Sequence, residues 1–103
     1  MSAPTKIRAT TKDGLTEVRV LMQHEMDNGR RKDEAGNLIP AWYITDVTAR
    51  HNGRVVLEGE FGTSVSKNPY LVFRFRGGAV GDKVSISWQD NKGETRSDEV
   101  SII

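Results

Sequence analysis

Apolar side chains recur at every second position through most of this chain, the period of strands with one buried face. Thr16, Val18, Val20 and Met22 fall on one side of such a strand, and Glu17, Arg19 and Gln23 on the other. Val55, Leu57 and Phe61 alternate with Val56, Glu58 and Glu60, and Leu71, Phe73 and Phe75 with Val72, Arg74 and Arg76. Val84, Ile86 and Trp88 alternate with Lys83, Ser85, Ser87 and Gln89, and Val100 and Ile102 close the chain in the same manner. Between these runs stand Lys12-Asp13-Gly14, His51-Asn52-Gly53 and Asp90-Asn91-Lys92-Gly93, which put Gly or Asn where a tight turn needs positive φ. The pattern predicts seven strands, over 5–11, 15–23, 41–50, 54–61, 70–76, 82–90 and 95–102, and no helix longer than two turns. Seven short alternating strands in 103 residues predict an all-β, immunoglobulin-like antiparallel sandwich, with a small open barrel as the alternative.

One segment breaks the alternation. From His24 to Pro40 the chain has neither helical nor strand period, yet it is too varied for a linker. Loops of this length inside compact domains usually bind something or are disordered. Met26, Leu38 and Ile39 are isolated apolar anchors, which predicts a loop packed onto the sandwich. The strand that follows shows Tyr43, Val47 and Ala49 on one face, while Trp42 and Ile44 make the other face apolar at the loop end only. A strand apolar on both faces is covered on both. The cover is either the loop's Leu38 and Ile39 or a second protein.

The length sets one domain, residues 1–103, with a core large enough to need no disulfide or structural metal. The formal net charge of +1 gives no reason to expect nucleic acid. No run is long enough to span a bilayer, so no membrane partner is expected. The absence of cysteine excludes disulfides, thiolate catalysis and Cys-ligated metal in this chain. The first residues, Met1 to Arg8, lack the apolar run of a secretory signal.

Candidate chemistry is thin. His24 and His51 lie in different segments with no third ligand at metal spacing, and His51 sits in a hairpin turn where solvent exposure accounts for it. Ser64-x-x-Lys67 matches a serine-enzyme pattern, but it precedes Asn68-Pro69 and a strand, and its companion motifs are missing. Gly77-Gly78-Ala79-Val80-Gly81 lacks P-loop spacing and leads into a strand. Asp27-Asn28-Gly29 lacks the ligand alternation of a calcium loop. Arg74 and Arg76 share a face that reads as solvated. The expectation is a binding module with no catalytic residue, no cofactor and no metal. Its surfaces would be the long loop, the Trp42/Ile44 patch and the segment Ser66-Lys67-Asn68-Pro69-Tyr70.

Those segments carry a resemblance. The string His24-x-Met26-x-x-Gly29-x-Arg31-Lys32-Asp33-x-x-Gly36-x-Leu38-Ile39-Pro40-Ala41 resembles the SoxZ family of sulfur-oxidation subunits. The likeness continues through Ser66 to Tyr70, Phe73-Arg74-Phe75, Gly77-Gly78, Gly81-Asp82, Trp88, Asp90-Asn91 and Gly93. Glu25 stands where the family usually has proline, and Trp42-Tyr43 replaces a His/Phe-type pair. The resemblance implies a heterodimer with SoxY, whose C-terminal cysteine arm carries sulfur during thiosulfate oxidation, and transient visits from other Sox enzymes. It further implies a periplasmic location reached by co-export with SoxY, and self-association of the isolated chain is an open alternative. The expected contact residues are Trp42 and Ile44 as anchors, with Met26, Ile39 and Pro40 beside them. His24, Lys32 and Asp33 and the stretch Ser66, Lys67, Asn68, Pro69 and Tyr70 complete the set. A generic immunoglobulin-like interaction domain is the competing reading.

Overall fold

The computed structural model describes residues 3–103. All seven expected strands form: β1 Lys6–Lys12, β2 Leu15–Leu21, β3 Ile44–His51, β4 Arg54–Glu60, β5 Tyr70–Arg76, β6 Lys83–Asp90 and β7 Thr95–Ser101. Every ladder is antiparallel, with β1-β2-β5 in one sheet and β4-β3-β6-β7 in the other. The chain crosses between sheets after β2, β4 and β5, which is the Greek-key connectivity of immunoglobulin-like sandwiches.

The core is the meeting of the two inward faces. Val18, Val20 and Met22 of one sheet pack towards Val47, Ala49, Val84, Ile86 and Trp88 of the other, all essentially without solvent contact. Leu71, Phe73 and Phe75 of the edge strand β5 line the same core but stay half-buried. At the other side the sheets are tied together. The Ile103 N–H donates to the Ala9 carbonyl, its own carbonyl accepts from Thr11, and the Thr5 N–H donates to the Asp98 carboxylate.

Two β-bulges rearrange the faces that strict alternation predicts. The β3–β6 register skips Thr45, pairing Ile44 with Asp90 and Asp46 with Gln89. An extra residue on one strand flips everything beyond it to the opposite face. Ile44 therefore joins Val47 and Ala49 inside the core, fully buried, instead of standing on an outer apolar patch. The expectation of Ile44 as a contact anchor is corrected accordingly. On β4 the register passes from Ala49–Leu57 to Arg50–Val55 and skips Val56, so Val55 faces outward and is 42% exposed.

The molecule measures 54 × 20 × 19 Å, with a radius of gyration of 15.5 Å against about 13 Å for a compact chain of this length. Strands of seven or eight residues span only about half of that long axis. The remainder comes from turns and from the long segment after β2.

Candidate functional site

That segment is a β-ribbon rather than a packed-down loop. Asp27 and Trp42 exchange both backbone hydrogen bonds, Asp27 N–H to Trp42 at 2.6 Å and Trp42 N–H to Asp27 at 2.8 Å. Farther out the Ile39 N–H donates to Arg31 at 2.7 Å and the Asp33 N–H to Asn37 at 2.9 Å, with Lys32 opposite Leu38. Asp33 closes the tip, its carboxylate accepting from the N–H groups of Ala35 and Asn37. Lys32, Asp33 and Pro40 are exposed, Ile39 is half-buried, and Leu38 is 62% exposed. The expectation that Leu38 anchors the loop is thus corrected. Its side chain lies on a projecting arm, because the arm satisfies its own backbone and needs no apolar floor.

Anchoring occurs at the base. Met26 is buried, and its thioether accepts the Ile44 N–H at 3.3 Å. Its backbone sits at φ 52°, a left-handed conformation that costs a non-glycine residue roughly 1–2 kcal/mol. Burial of the side chain holds it there. Arg31 adds an ion pair to Asp27 at 2.9 Å.

Behind Met26 lies a buried polar knot. The His24 Nε2 stands 3.0 Å from Asp90 Oδ2, with side chains 2% and 0% exposed. The Met26 N–H points at Nδ1 from 3.1 Å, so Nδ1 accepts and Nε2 carries the proton. The Trp42 indole N–H donates to the same Asp90 oxygen at 2.8 Å. The other oxygen accepts the backbone N–H groups of Lys92 and Glu94. Burial by itself would push the Asp90 carboxyl up. The hydrogen bonds from His24, Trp42, Glu94 and Lys92 outweigh it and hold the group below the usual carboxylate range. The His24 ring meets Trp42 edge-on at 4.9 Å and Trp88 at 5.3 Å, while the Lys92 ammonium sits 4.3 Å over the Trp42 ring.

Two asparagines lock neighbouring segments to this knot. Asn68, at φ 54°, donates its N–H to the His24 carbonyl and accepts the His24 N–H on its side-chain oxygen. Asn91 clamps the returning strand of the ribbon, accepting the Tyr43 N–H on its side-chain oxygen and donating its side-chain amide to the Ala41 carbonyl. Pro69 is buried and its carbonyl accepts the Met22 N–H. Glu25 pairs with Lys67 at 3.4 Å. Between these parts opens a cleft of about 330 Å³ lined by Ala3, Gln23, His24, Glu25, Trp42, Lys67, Asn68 and Glu94.

The structure therefore brings together His24, Met26, Trp42, Lys67, Asn68 and Pro69, while Lys32, Asp33 and Pro40 lie on the arm. Ser66 and Tyr70 are exposed beside the cluster. Trp42 is half-buried, with its polar edge committed to Asp90, so it works first as an internal joint. Asp90, Asn91 and Lys92 were legible only as a turn. The signal for more was an Asp opening a Gly-closed turn, since such an Asp side chain accepts the N–H two residues on. His51 also departs from simple exposure, standing 2.7 Å from Asp82 at the opposite end of the sandwich.

A family model described as "Sulphur oxidation protein SoxZ" matches residues 5–101. The chain belongs to the SoxZ family. Membership places it in the Sox system of sulfur oxidation, in which it acts with partner proteins. A search of the curated proteins found no match. In this chain His24, Met26, Asn68, Asp90 and Asn91 together fix the base of the arm.

Proposed function

We propose that this chain is the non-catalytic subunit of a sulfur-carrier heterodimer, gripping a cysteine-bearing SoxY partner and presenting it to the enzymes of thiosulfate oxidation. One observation carries the reading. At the arm's base the buried pair that could do proton chemistry, His24 and Asp90, is already spent on structure. Asp90 accepts four hydrogen bonds, and both nitrogens of His24 are engaged. Moving a proton on either would release the arm. The sequence contains no cysteine, so the sulfur adduct must sit on the partner, and a thiol-free subunit offers no competing sulfur for exchange.

The rigid knot supports a mount whose arm and cleft meet the partner. The test is mass spectrometry of the purified heterodimer after thiosulfate turnover, read together with co-purification of the two chains. Sulfur adducts confined to the partner are expected. An adduct on this chain, or no association, refutes the proposal. The periplasm, reached by export in complex with SoxY, is part of the same reading. Fractionation of cells lacking SoxY should leave this chain in the cytoplasm, and periplasmic protein there overturns co-export.

A further inference from the structure

The near-neutral overall charge conceals two faces of opposite sign. Outward positions of the β1-β2-β5 sheet carry Lys6, Arg8, Lys12, Arg19, Arg74 and Arg76, against Glu17 as the one acid. That is six of the fifteen basic residues of the chain on one small surface. The outward face of the other sheet carries Asp46, Glu58, Glu60 and Glu99 against Arg50 and Lys83. Arg8 stands directly opposite Arg19 in the ladder, a like-charge pairing that weakens a sheet. Arg19 and Arg74 share the single Glu17 carboxylate, which offsets one of their two charges. Among the described residues no carboxylate pairs with Lys6, Arg8, Lys12 or Arg76.

Apolar side chains are set among these charges. Leu15, Tyr70 and Val72 are 41%, 60% and 43% exposed on the same face. Exposed Arg and Tyr around small apolar contacts is the composition of a protein-binding patch. A phosphate backbone would meet the Glu17 carboxylate in the middle of the face, which disfavours nucleic acid. Three strands make a face of about 14 by 24 Å. Permanent subunit interfaces are larger and more apolar, whereas charge-rich patches steer transient encounters.

We infer that the outer face of the three-stranded sheet is a transient docking surface for a protein that approaches with an acidic patch, namely an enzyme acting on the carried sulfur. The inference rests on the carrier-subunit reading and adds a second surface, which runs from Lys6 and Tyr70 near the arm's base to Lys12 and Arg76 at the far end of the sheet. The experiment uses the heterodimer with SoxY, carrying Lys6→Glu, Arg8→Glu and Lys12→Glu together on the edge strand β1. A second variant neutralises the same positions with glutamine, and Glu58→Lys on the other sheet is the control. Association rates with each purified Sox enzyme are measured at low and at physiological salt. For at least one enzyme the triple reversal should slow association about tenfold or more and flatten its salt dependence, with dissociation little changed. The glutamine variant should fall between; SoxY binding should stay at the unsubstituted value, and the thermal midpoint should be no lower, since Arg8 no longer faces Arg19 as a like charge. Unchanged rates for every enzyme overturn the inference while leaving the carrier reading intact. So does a result in which the reversal abolishes only self-association or only duplex DNA binding. Failure of the unsubstituted chain to bind SoxY overturns both.

Discussion

Replacing Asp90 by asparagine keeps the side chain's shape and removes one acceptor. Whichever way the new amide turns, its NH2 group faces two donors. One orientation sets it against the His24 Nε2–H and the Trp42 indole N–H, the other against the N–H groups of Lys92 and Glu94. His24 cannot rescue the first by changing tautomer, because its Nδ1 would then present a proton to the Met26 N–H. Water cannot rescue it either, since the His24 and Asp90 side chains are 2% and 0% exposed. Hydrogen bonds to a charged acceptor are worth about 1.5–3 kcal/mol each, and Trp42, half-buried, recovers part of its share from solvent. The loss should be about 3 kcal/mol, or a fall of roughly 10–20 °C in Tm for a domain of this size. Urea unfolding followed by tryptophan fluorescence measures it, with Trp42 and Trp88 both beside the His24 ring. Hydrogen exchange should show the Asp27 and Trp42 amides opening first. A double-mutant cycle with His24→Ala should give a coupling above about 1 kcal/mol. A loss under about 1 kcal/mol, or additivity in the cycle, would refute the account of the knot as a single cooperative unit.

Two further outcomes follow from the same geometry. The Asp90 pKa is lowered by folding, so its stabilisation is complete above the unfolded value near 4 and disappears as pH falls through the lower folded value. Acid titration of stability should show this loss, and Asp90→Asn should flatten that limb; an identical limb in the variant contradicts the assignment. Gly78 lies at φ 90°, and a Cβ there would collide with the Thr16 hydroxyl and press Ile102 at 3.2 Å, while Gly81 at φ 93° faces open space. Gly78→Ala should therefore cost about 2–3 kcal/mol against about 1 for Gly81→Ala, and equal costs in thermal melts would show that clash contributes nothing.

The strands were legible because burial on one face leaves a two-residue period, and β2, β5 and β6 follow it without interruption. Asn52-Gly53 and Asp13-Gly14 were legible because left-handed turns accept few residue types, and those pairs sit at positive φ. Bulges leave no mark in a hydrophobic pattern. Thr45 slips out of register only because Ile44 gains the core and Asp90 reaches His24 and Trp42, contacts 48 and 66 residues apart in the chain. The arm was visible as an interruption, but its course was not, since its backbone pairs are local and its side chains do not repeat. Composition by itself fixed the absence of a thiol and hence of any sulfur bound covalently through cysteine on this chain. Tertiary structure alone decided that Trp42 serves as a joint and that scattered lysines and arginines gather on one sheet. Charge sums over a chain, whereas a field depends on which side chains share a face, and only strand order sets that.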